Sequence, residues 1–202
     1  MSDAEQNRRH AEKMAKIKAA RDKMMAGKTR SKGLLIVHTG KGKGKTTAAM
    51  GMVMRAVGRG MKTGVVQFIK GAQDTGEKLL LDRFPEVCTF KVMGEGFTWD
   101  TQDRARDIAA AGAGWKAALE MLGDPAYDLV LLDELNICLR YDYLPLGEVL
   151  AALAARPADM HVIITGRGAP EPLIEAADLV SEMTLIKHPF RAGVKAQPGI
   201  EF

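Results

Sequence analysis

One short glycine- and lysine-rich segment, residues 39–47, constrains this chain more than any other feature of its sequence. It reads Thr-Gly-Lys-Gly-Lys-Gly-Lys-Thr-Thr, it follows an apolar run at residues 34–37, and helical spacing begins after it, at Lys45. A strand that ends in a glycine-rich turn and leads into a helix is the context of a Walker A phosphate loop. The pattern therefore predicts an α/β domain that binds a nucleotide.

The residue types of this segment suit the binding of phosphate groups. Glycine lets the backbone curve closely enough for successive N–H groups to face phosphate oxygens. The helix that begins near Lys45 adds the positive end of its dipole, Lys45 adds a positive charge, and Thr46 adds a hydroxyl suited to Mg²⁺. The residues that we expect at the phosphates are Thr39, Gly40, Lys41, Gly42, Lys43, Gly44, Lys45, Thr46 and Thr47. A lysine-rich surface turn is the alternative, and the strand–turn–helix context disfavours it.

The spacing of the loop departs from the usual G-x-x-x-x-G-K-[ST] in one place. That spacing requires glycine at position 39, where this chain has Thr39, and counted from Gly40 the loop is one residue short. A shorter loop is expected to hold the phosphates differently from that of a hydrolytic ATPase. The departure therefore weakens the hypothesis that the chain hydrolyses ATP.

Asp133 and Glu134 follow the apolar run at residues 129–132 and resemble the end of a Walker B strand. In such folds this strand ends beside the phosphate loop, where a carboxylate completes the coordination of Mg²⁺. The alternative is a pair of residues that caps a helix after a buried strand. The sequence does not decide which of the two carboxylates contacts the metal.

The rest of the chain alternates between strands and helices. Further apolar runs predict strands at residues 65–69, 87–92, 129–132, 162–165 and 179–186. Helical spacing predicts helices from Lys45 to about Arg59, from about Thr101 to Leu122, and over residues 146–155. This order predicts a three-layer α/β fold of the P-loop NTPase and RecA-like class, with a mostly parallel sheet and helices on both faces.

The positive charge of the chain is confined to its first 32 residues. These contain ten Lys and Arg against four Asp and Glu, a net charge of +6, whereas residues 33–202 carry −2. Ser2 with Glu5 predicts the start of a helix and Gly27 its end. We therefore expect a basic helical arm at 1–32 and a nucleotide-binding catalytic domain at 33–202. A solvated, unstructured tail is the alternative for the arm.

Several classes of protein are excluded or disfavoured. No run approaches the roughly 18 apolar residues of a membrane helix, and the first residues lack a secretory h-region, so we expect a cytoplasmic protein without a membrane partner. Cys88 and Cys138 are fifty residues apart, and the four histidines are scattered, so no zinc site is expected and both thiols should be buried and reduced.

Seven segments together resemble the bacterial corrinoid adenosyltransferases. The resemblance covers most of residues 33–202 and is looser in the arm. The segments are residues 39–47, 65–71 (Val-Val-Gln-Phe-Ile-Lys-Gly), 96–99 (Gly-Phe-Thr-Trp), 131–134 (Leu-Leu-Asp-Glu), 141–146 (Tyr-Asp-Tyr-Leu-Pro-Leu), 164–168 (Ile-Thr-Gly-Arg-Gly) and 192–197 (Ala-Gly-Val-Lys-Ala-Gln).

The resemblance implies that the 5′-deoxyadenosyl group of ATP is transferred to the cobalt of a reduced corrinoid, cob(I)alamin or cob(I)yrinic acid a,c-diamide, with release of triphosphate. Residues 40–46 would then hold the triphosphate in the orientation opposite to that in hydrolytic P-loop enzymes. Thr46 and Glu134 match the positions associated with Mg²⁺, for which Mn²⁺ is an alternative, and Asp133 is the candidate beside them. Lys45 would neutralise the leaving group. Because the cobalt is the nucleophile, no base that activates water is required.

The resemblance also assigns a role to Phe97 and Trp99. Their family counterparts contact the lower face of the corrin and displace the axial base, which eases reduction of the cobalt; ordinary core packing is the alternative. The resemblance further implies a homodimer, a reductant such as a flavoprotein, and an arm that closes over the corrinoid site.

The sequence leaves two other functions open. A P-loop NTPase or kinase would release ADP, whereas adenosyl transfer releases triphosphate only with a reduced corrinoid. A RecA-like protein that binds nucleic acid through the arm is disfavoured, because the arm contains no Phe, Trp or Tyr to stack on bases.

Overall fold

The chain divides into two compact units, Met1–Lys32 and Gly33–Phe202. The computed structural model describes residues 2–69, 75–93 and 103–201. No helix within these ranges is long and apolar enough to span a bilayer.

The first unit contains one long helix, α1, at Asp3–Ala26. The Ser2 hydroxyl accepts a hydrogen bond from the backbone N–H of Glu5, and the helix is capped at its other end by Gly27, so the predicted helix is confirmed. Three ion pairs with i,i+4 spacing lie along its surface, and no residue of α1 is buried. Exposed pairs of this kind stabilise a helix only weakly.

The described part of the second unit is built on six parallel strands: β1 (Leu35–Thr39), β2 (Thr63–Gln67), β3 (Cys88–Val92), β4 (Leu129–Asp133), β5 (His161–Thr165) and β6 (Leu179–Glu182). They lie in the sheet in the order β3-β2-β4-β5-β1-β6. The helices are α2 (Lys45–Val57), α3 (Gly76–Leu81), α4 (Arg104–Leu122), α5 (Leu135–Arg140), α6 (Leu146–Ala155) and α7 (Glu171–Ala176), with a 3₁₀ turn at Pro189–Ala192.

Alternate residues of the central strands enter two separate cores. Leu129 and Leu131 pack on one face of the sheet with buried residues of α2 and α3. Val130 and Leu132 pack on the other face with α4, α5 and α6. A strand covered on both faces must be apolar at every position, which is why these strands read as continuous apolar runs. The three-layer α/β fold is confirmed.

The parallel arrangement brings the carboxyl ends of all strands to one edge of the sheet. Thr39, Gln67, Asp133 and Thr165 end β1, β2, β4 and β5, and all four are buried. Ligands of open α/β sheets bind outside this edge. The residues that follow these four strand ends are therefore the candidates for the site.

The last strand is shorter than its apolar run predicts. β6 ends at Glu182 rather than at residue 186. Beyond it, the Met183 N–H donates to the Thr39 carbonyl, and the Met183 carbonyl accepts from the Gly42 N–H at 2.6 Å. The chain leaves the sheet here because Met183 bonds to the phosphate loop. Cys88 and Cys138 are buried and free, as predicted.

Candidate active site

Glycine is required in the phosphate loop for two structural reasons. Gly40 and Gly44 have φ of +95° and +102°, which side chains rarely tolerate. Gly42 lies instead against the segment that follows β6, and a Cβ there would approach the Met183 carbonyl oxygen to 2.7 Å. The loop is thus shaped by contact with the protein itself as well as by its capacity to surround phosphates.

Thr39 has a defined role in the geometry of the loop. It is the last residue of β1, its side chain is buried, and its Oγ1 accepts a hydrogen bond of 3.1 Å from the Ala169 N–H. Glycine could not make this bond. Thr39 therefore connects the phosphate loop to the loop that follows β5, and this accounts physically for the departure from the usual spacing.

Lys45 begins α2 and is only 6% exposed. Its Nζ donates to the Gly42 carbonyl at 2.6 Å, so the ammonium lies over its own loop. Burial lowers the pKa of Lys45; Glu134 opposes this shift, Arg167 adds to it, and Asp133 opposes it. The group therefore favours an anionic ligand, which would replace the water lost on burial.

Asp133 and Glu134 occupy different environments although they are adjacent. Asp133 is fully buried and accepts hydrogen bonds from Gln67 Nε2 at 2.9 Å and from Thr165 Oγ1 at 2.7 Å. These bonds tie β4 to its two neighbours in the sheet. Glu134 instead lines the cavity beside the phosphate loop.

The backbone of Glu134 is held in an uncommon conformation. Its φ is +65°, and its N–H donates to Thr165 Oγ1 at 2.9 Å. A Cβ on Gly166 would lie 2.9 Å from Asn136 Cβ and 3.3 Å from Glu134 Oε2, so only glycine fits beside this carboxylate. A left-handed non-glycine residue persists only where its surroundings impose it, and such residues cluster at functional sites.

These elements surround a cavity of about 530 Å³ at the carboxyl edge of the sheet. It is lined by residues 42–47 and by Met54, Gly76, Glu77, Glu134, Arg167, Gly199, Ile200 and Glu201. The volume falls in the range of small-molecule sites. Cationic groups, the start of a helix, a hydroxyl and a carboxylate meet in it, a combination suited to a polyphosphate with a hard cation.

The predicted site residues fall into three groups. Gly42, Lys43, Gly44, Lys45, Thr46, Thr47 and Glu134 line the cavity. Thr39, Gly40, Lys41 and Asp133 do not belong to its described lining, although Thr39, Gly40 and Asp133 support the residues that do. Phe97 and Trp99 lie outside the described residues.

Three charged residues of the lining were not predicted as site residues from the sequence. Arg167 follows the carboxyl end of β5 between two glycines of positive φ, and its position after a buried strand could have indicated it. Glu77 lies in the six-residue helix α3, which has no periodicity to reveal it. Glu201 has no sequence pattern that points to the cavity.

Comparison with known proteins gives consistent matches over the whole chain. Residues 31–202 match the family model described as ATP:corrinoid adenosyltransferase BtuR/CobO/CobP. Residues 1–25 match a second model, described as the cob(I)alamin adenosyltransferase N terminal.

Individual relatives match at high identity. A corrinoid adenosyltransferase of Pseudomonas aeruginosa is 58% identical over 198 residues, which cover 98% of each chain. A corrinoid adenosyltransferase of a Sinorhizobium species is 59% identical over 196 residues, covering 96% of this chain and 92% of the relative. The corrinoid adenosyltransferase CobA of Salmonella typhimurium is 50% identical over 194 residues, covering 96% of this chain and 98% of the relative.

Proposed function

The chain belongs to the ATP:corrinoid adenosyltransferase family, and we propose that its cavity holds the triphosphate of ATP while the adenosyl group is transferred to the cobalt of a reduced corrinoid. ATP and a corrinoid are the substrates that this family name specifies. The observation that carries the proposal is the meeting of Lys45, Thr46 and Glu134 in one cavity.

The reaction requires charge stabilisation rather than activation of water. The electron pair of the cob(I) centre forms the cobalt–carbon bond, the bond from C5′ to oxygen breaks, and triphosphate leaves with the electron pair of the broken bond. Lys45 and the backbone N–H groups at the start of α2 neutralise the charge that develops on the leaving group. Arg167 adds a further cation to the same cavity.

The donors available to a divalent cation are hard oxygens. The described residues contain no cluster of three or more His, Cys, Asp or Glu that could hold a metal on their own. The Thr46 hydroxyl and the Glu134 carboxylate would bind Mg²⁺, or Mn²⁺, together with substrate phosphates and water, which is the usual manner for Mg²⁺. When bound, the ion would supply additional positive charge to the leaving triphosphate. The role of Asp133 is then to order the strands beneath this site.

The remaining parts of the proposal rest on the family resemblance. Residues 33–202 form the catalytic domain, and the arm at 1–32 takes part in corrinoid use. Phe97 and Trp99 contact the lower face of the corrin. The protein acts as a homodimer in the cytoplasm, with a reductant such as a flavoprotein that supplies cob(I).

An anaerobic assay tests the function directly. The chain is incubated with ATP, Mg²⁺ and chemically reduced corrinoid, and the light-sensitive absorption spectrum of the cobalt–carbon product is followed. We expect this product together with an equal amount of inorganic triphosphate. A parallel reaction without corrinoid should release neither triphosphate nor ADP.

The same assay separates the alternative. Formation of ADP in the absence of corrinoid, with no alkylated corrinoid in the full reaction, would contradict adenosyl transfer and favour an NTPase or kinase. A variant with Lys45→Met should lose product formation, because the charge that neutralises triphosphate is removed.

A further inference from the structure

A carboxylate from a distant part of the sequence lies on the phosphate loop. Glu201 forms an ion pair with Lys43, and the side chain of Glu201 is only 18% exposed. A turn holds it there, in which the N–H groups of Ile200 and Glu201 both donate to the Gln197 carbonyl, at 3.1 and 2.9 Å. Residues 199–201 line the same cavity as the phosphate loop.

The charges that line the cavity determine how this ion pair affects the binding of an anionic ligand. Three cations (Lys43, Lys45 and Arg167) and three carboxylates (Glu77, Glu134 and Glu201) line it. Lys45 lies over the Gly42 carbonyl, and Lys43 faces Glu201. A triphosphate that enters this cavity must compete with Glu201 for Lys43 and must also lie close to a like charge.

The pair does not belong to the hydrophobic cores of the second unit. Neither residue occurs in either core cluster, and the neighbouring Ile200 is 76% exposed. An ion pair that is partly exposed contributes little to stability. A change at Glu201 should therefore alter the electrostatics of the cavity without unfolding the domain.

We propose that Glu201 is an internal competitor for Lys43 that weakens the binding of polyphosphate and so promotes release of the triphosphate product. The inference rests on the proposed function, in which residues 42–47 hold the triphosphate. Glu201 acts through Lys43, so it is a positioning residue of the site. An enzyme that binds both ATP and free triphosphate in one cavity benefits from such a competitor, since a tightly held product would block the next turnover.

Calorimetric titration with inorganic tripolyphosphate and with MgATP tests the proposal. Glu201→Gln removes the charge at nearly constant shape, and we expect the dissociation constant of tripolyphosphate to fall about two- to fivefold. Glu201→Asp keeps the charge and should remain closer to the wild type. In the transfer assay, tripolyphosphate should inhibit Glu201→Gln at correspondingly lower concentrations.

A double-mutant comparison isolates the role of Lys43. Lys43→Gln should weaken binding, and adding Glu201→Gln to it should lower the dissociation constant by a smaller factor than in the wild-type background, because only the direct repulsion of the ligand is then removed. A matched control is Glu148→Gln, which alters the net charge equally at an exposed position of α6 outside the cavity lining and should leave binding unchanged.

Each contrary result has a distinct meaning. Unchanged or weaker tripolyphosphate binding in Glu201→Gln overturns the inference, and so does a gain of equal size with and without Lys43. Both results leave the proposed function intact. A wild-type chain that binds neither ligand overturns the proposed function, and the inference with it.

Discussion

At the scale of single residues, the Thr39 hydroxyl joins two loops of the site. Its bond to the Ala169 N–H positions the segment that carries Arg167. Thr39→Val removes the hydroxyl at similar volume and leaves a partly buried N–H without its acceptor. We expect the dissociation constant of MgATP to rise about two- to tenfold, the equivalent of one neutral hydrogen bond. Calorimetric titration measures this change.

Thr39→Ser provides the matched control because it restores the hydroxyl. We expect its affinity for MgATP to lie near the wild-type value. If Thr39→Ser weakens binding as much as Thr39→Val does, although it keeps the hydroxyl, the hydrogen bond does not account for the loss and the assigned role of Thr39 is wrong.

The lowered pKa of Lys45 predicts how nucleotide binding depends on pH. The charged ammonium binds the triphosphate, and the bound anion raises the pKa of Lys45 again. Affinity is therefore full below the lowered pKa of the free chain and falls as the pH rises through it. The fall should begin below 10.5, the ordinary value for lysine. Titrations of ATP binding at increasing pH measure it.

Lys45→Arg is the control for this titration, since arginine keeps its charge throughout the range. We expect weaker but nearly pH-independent binding over the interval in which the wild type declines. An identical decline in both proteins would assign the titration to another group.

At the scale of elements, two glycines nine residues apart in the sequence have opposite requirements: Gly42 in the phosphate loop and Gly51 within α2.

 A Cβ at Gly42 would lie 2.7 Å from two backbone carbonyl oxygens, of Met183 and Thr184, whereas a Cβ at Gly51 would meet nothing within 4 Å. Steric fit therefore separates a glycine that shapes the site from one that only weakens a helix.

We expect Gly42→Ala to displace the phosphate loop from the segment after β6 and to lower the affinity for ATP at least tenfold. Gly51→Ala should leave ATP binding unchanged and stabilise the protein by about 0.5–1 kcal/mol, because alanine is the better helix former. Thermal unfolding and calorimetric titration of both variants measure the two effects. Normal ATP affinity in Gly42→Ala would show that the loop does not need this close contact.

The accuracy of the sequence-based assignment of elements depended on their length and burial. The helix predicted at 146–155 is confirmed as α6 with the same bounds, since its apolar positions recur over three turns. The strands β1 to β5 are confirmed within two residues at each end. The helices α3, α5 and α7 were not predicted, because six residues are too few to establish a helical period.

The same limit applies to the candidate site. The phosphate loop was predicted because its residues are consecutive, and consecutive residues form a recognisable spacing. The different environments of Asp133 and Glu134 were not predicted, because they depend on hydrogen bonds from two neighbouring strands to Asp133. The contact between Lys43 and Glu201 joins positions 158 residues apart and has no local pattern.

At the scale of the whole molecule, the parallel sheet explains how residues that are distant in the sequence form one site. Every strand ends at the same edge, so Lys45, Glu134 and Arg167 meet in one cavity although each follows a different strand. Their positions depend on the register between β1, β4 and β5, which the two cores on the faces of the sheet maintain. The described residues that line the cavity all belong to the second unit.

We expect the first unit to contribute to function in a different way from the second. Its helix α1 has no buried residue, and Met14, Ile17, Met24 and Met25 are between 41% and 59% exposed. Because the apolar cores consist of residues from the second unit, deletion of residues 1–28 should leave the thermal unfolding temperature and the affinity for ATP unchanged. We expect the deletion to raise the KM for the corrinoid, since residues 1–25 match the family model described as the cob(I)alamin adenosyltransferase N terminal.

Two full-length variants distinguish the charge of the arm from its apolar side chains. One replaces Met14, Ile17, Met24 and Met25 by alanine, which preserves the helix and the +6 charge of residues 1–32. The other replaces Lys13, Lys16 and Lys23 by glutamine, which preserves the apolar residues. A corrin is a large and mostly apolar ring, so the alanine variant should raise the KM for the corrinoid more than the glutamine variant does. An unchanged KM for the corrinoid in the deletion and in both variants would show that the arm has no role in corrinoid use.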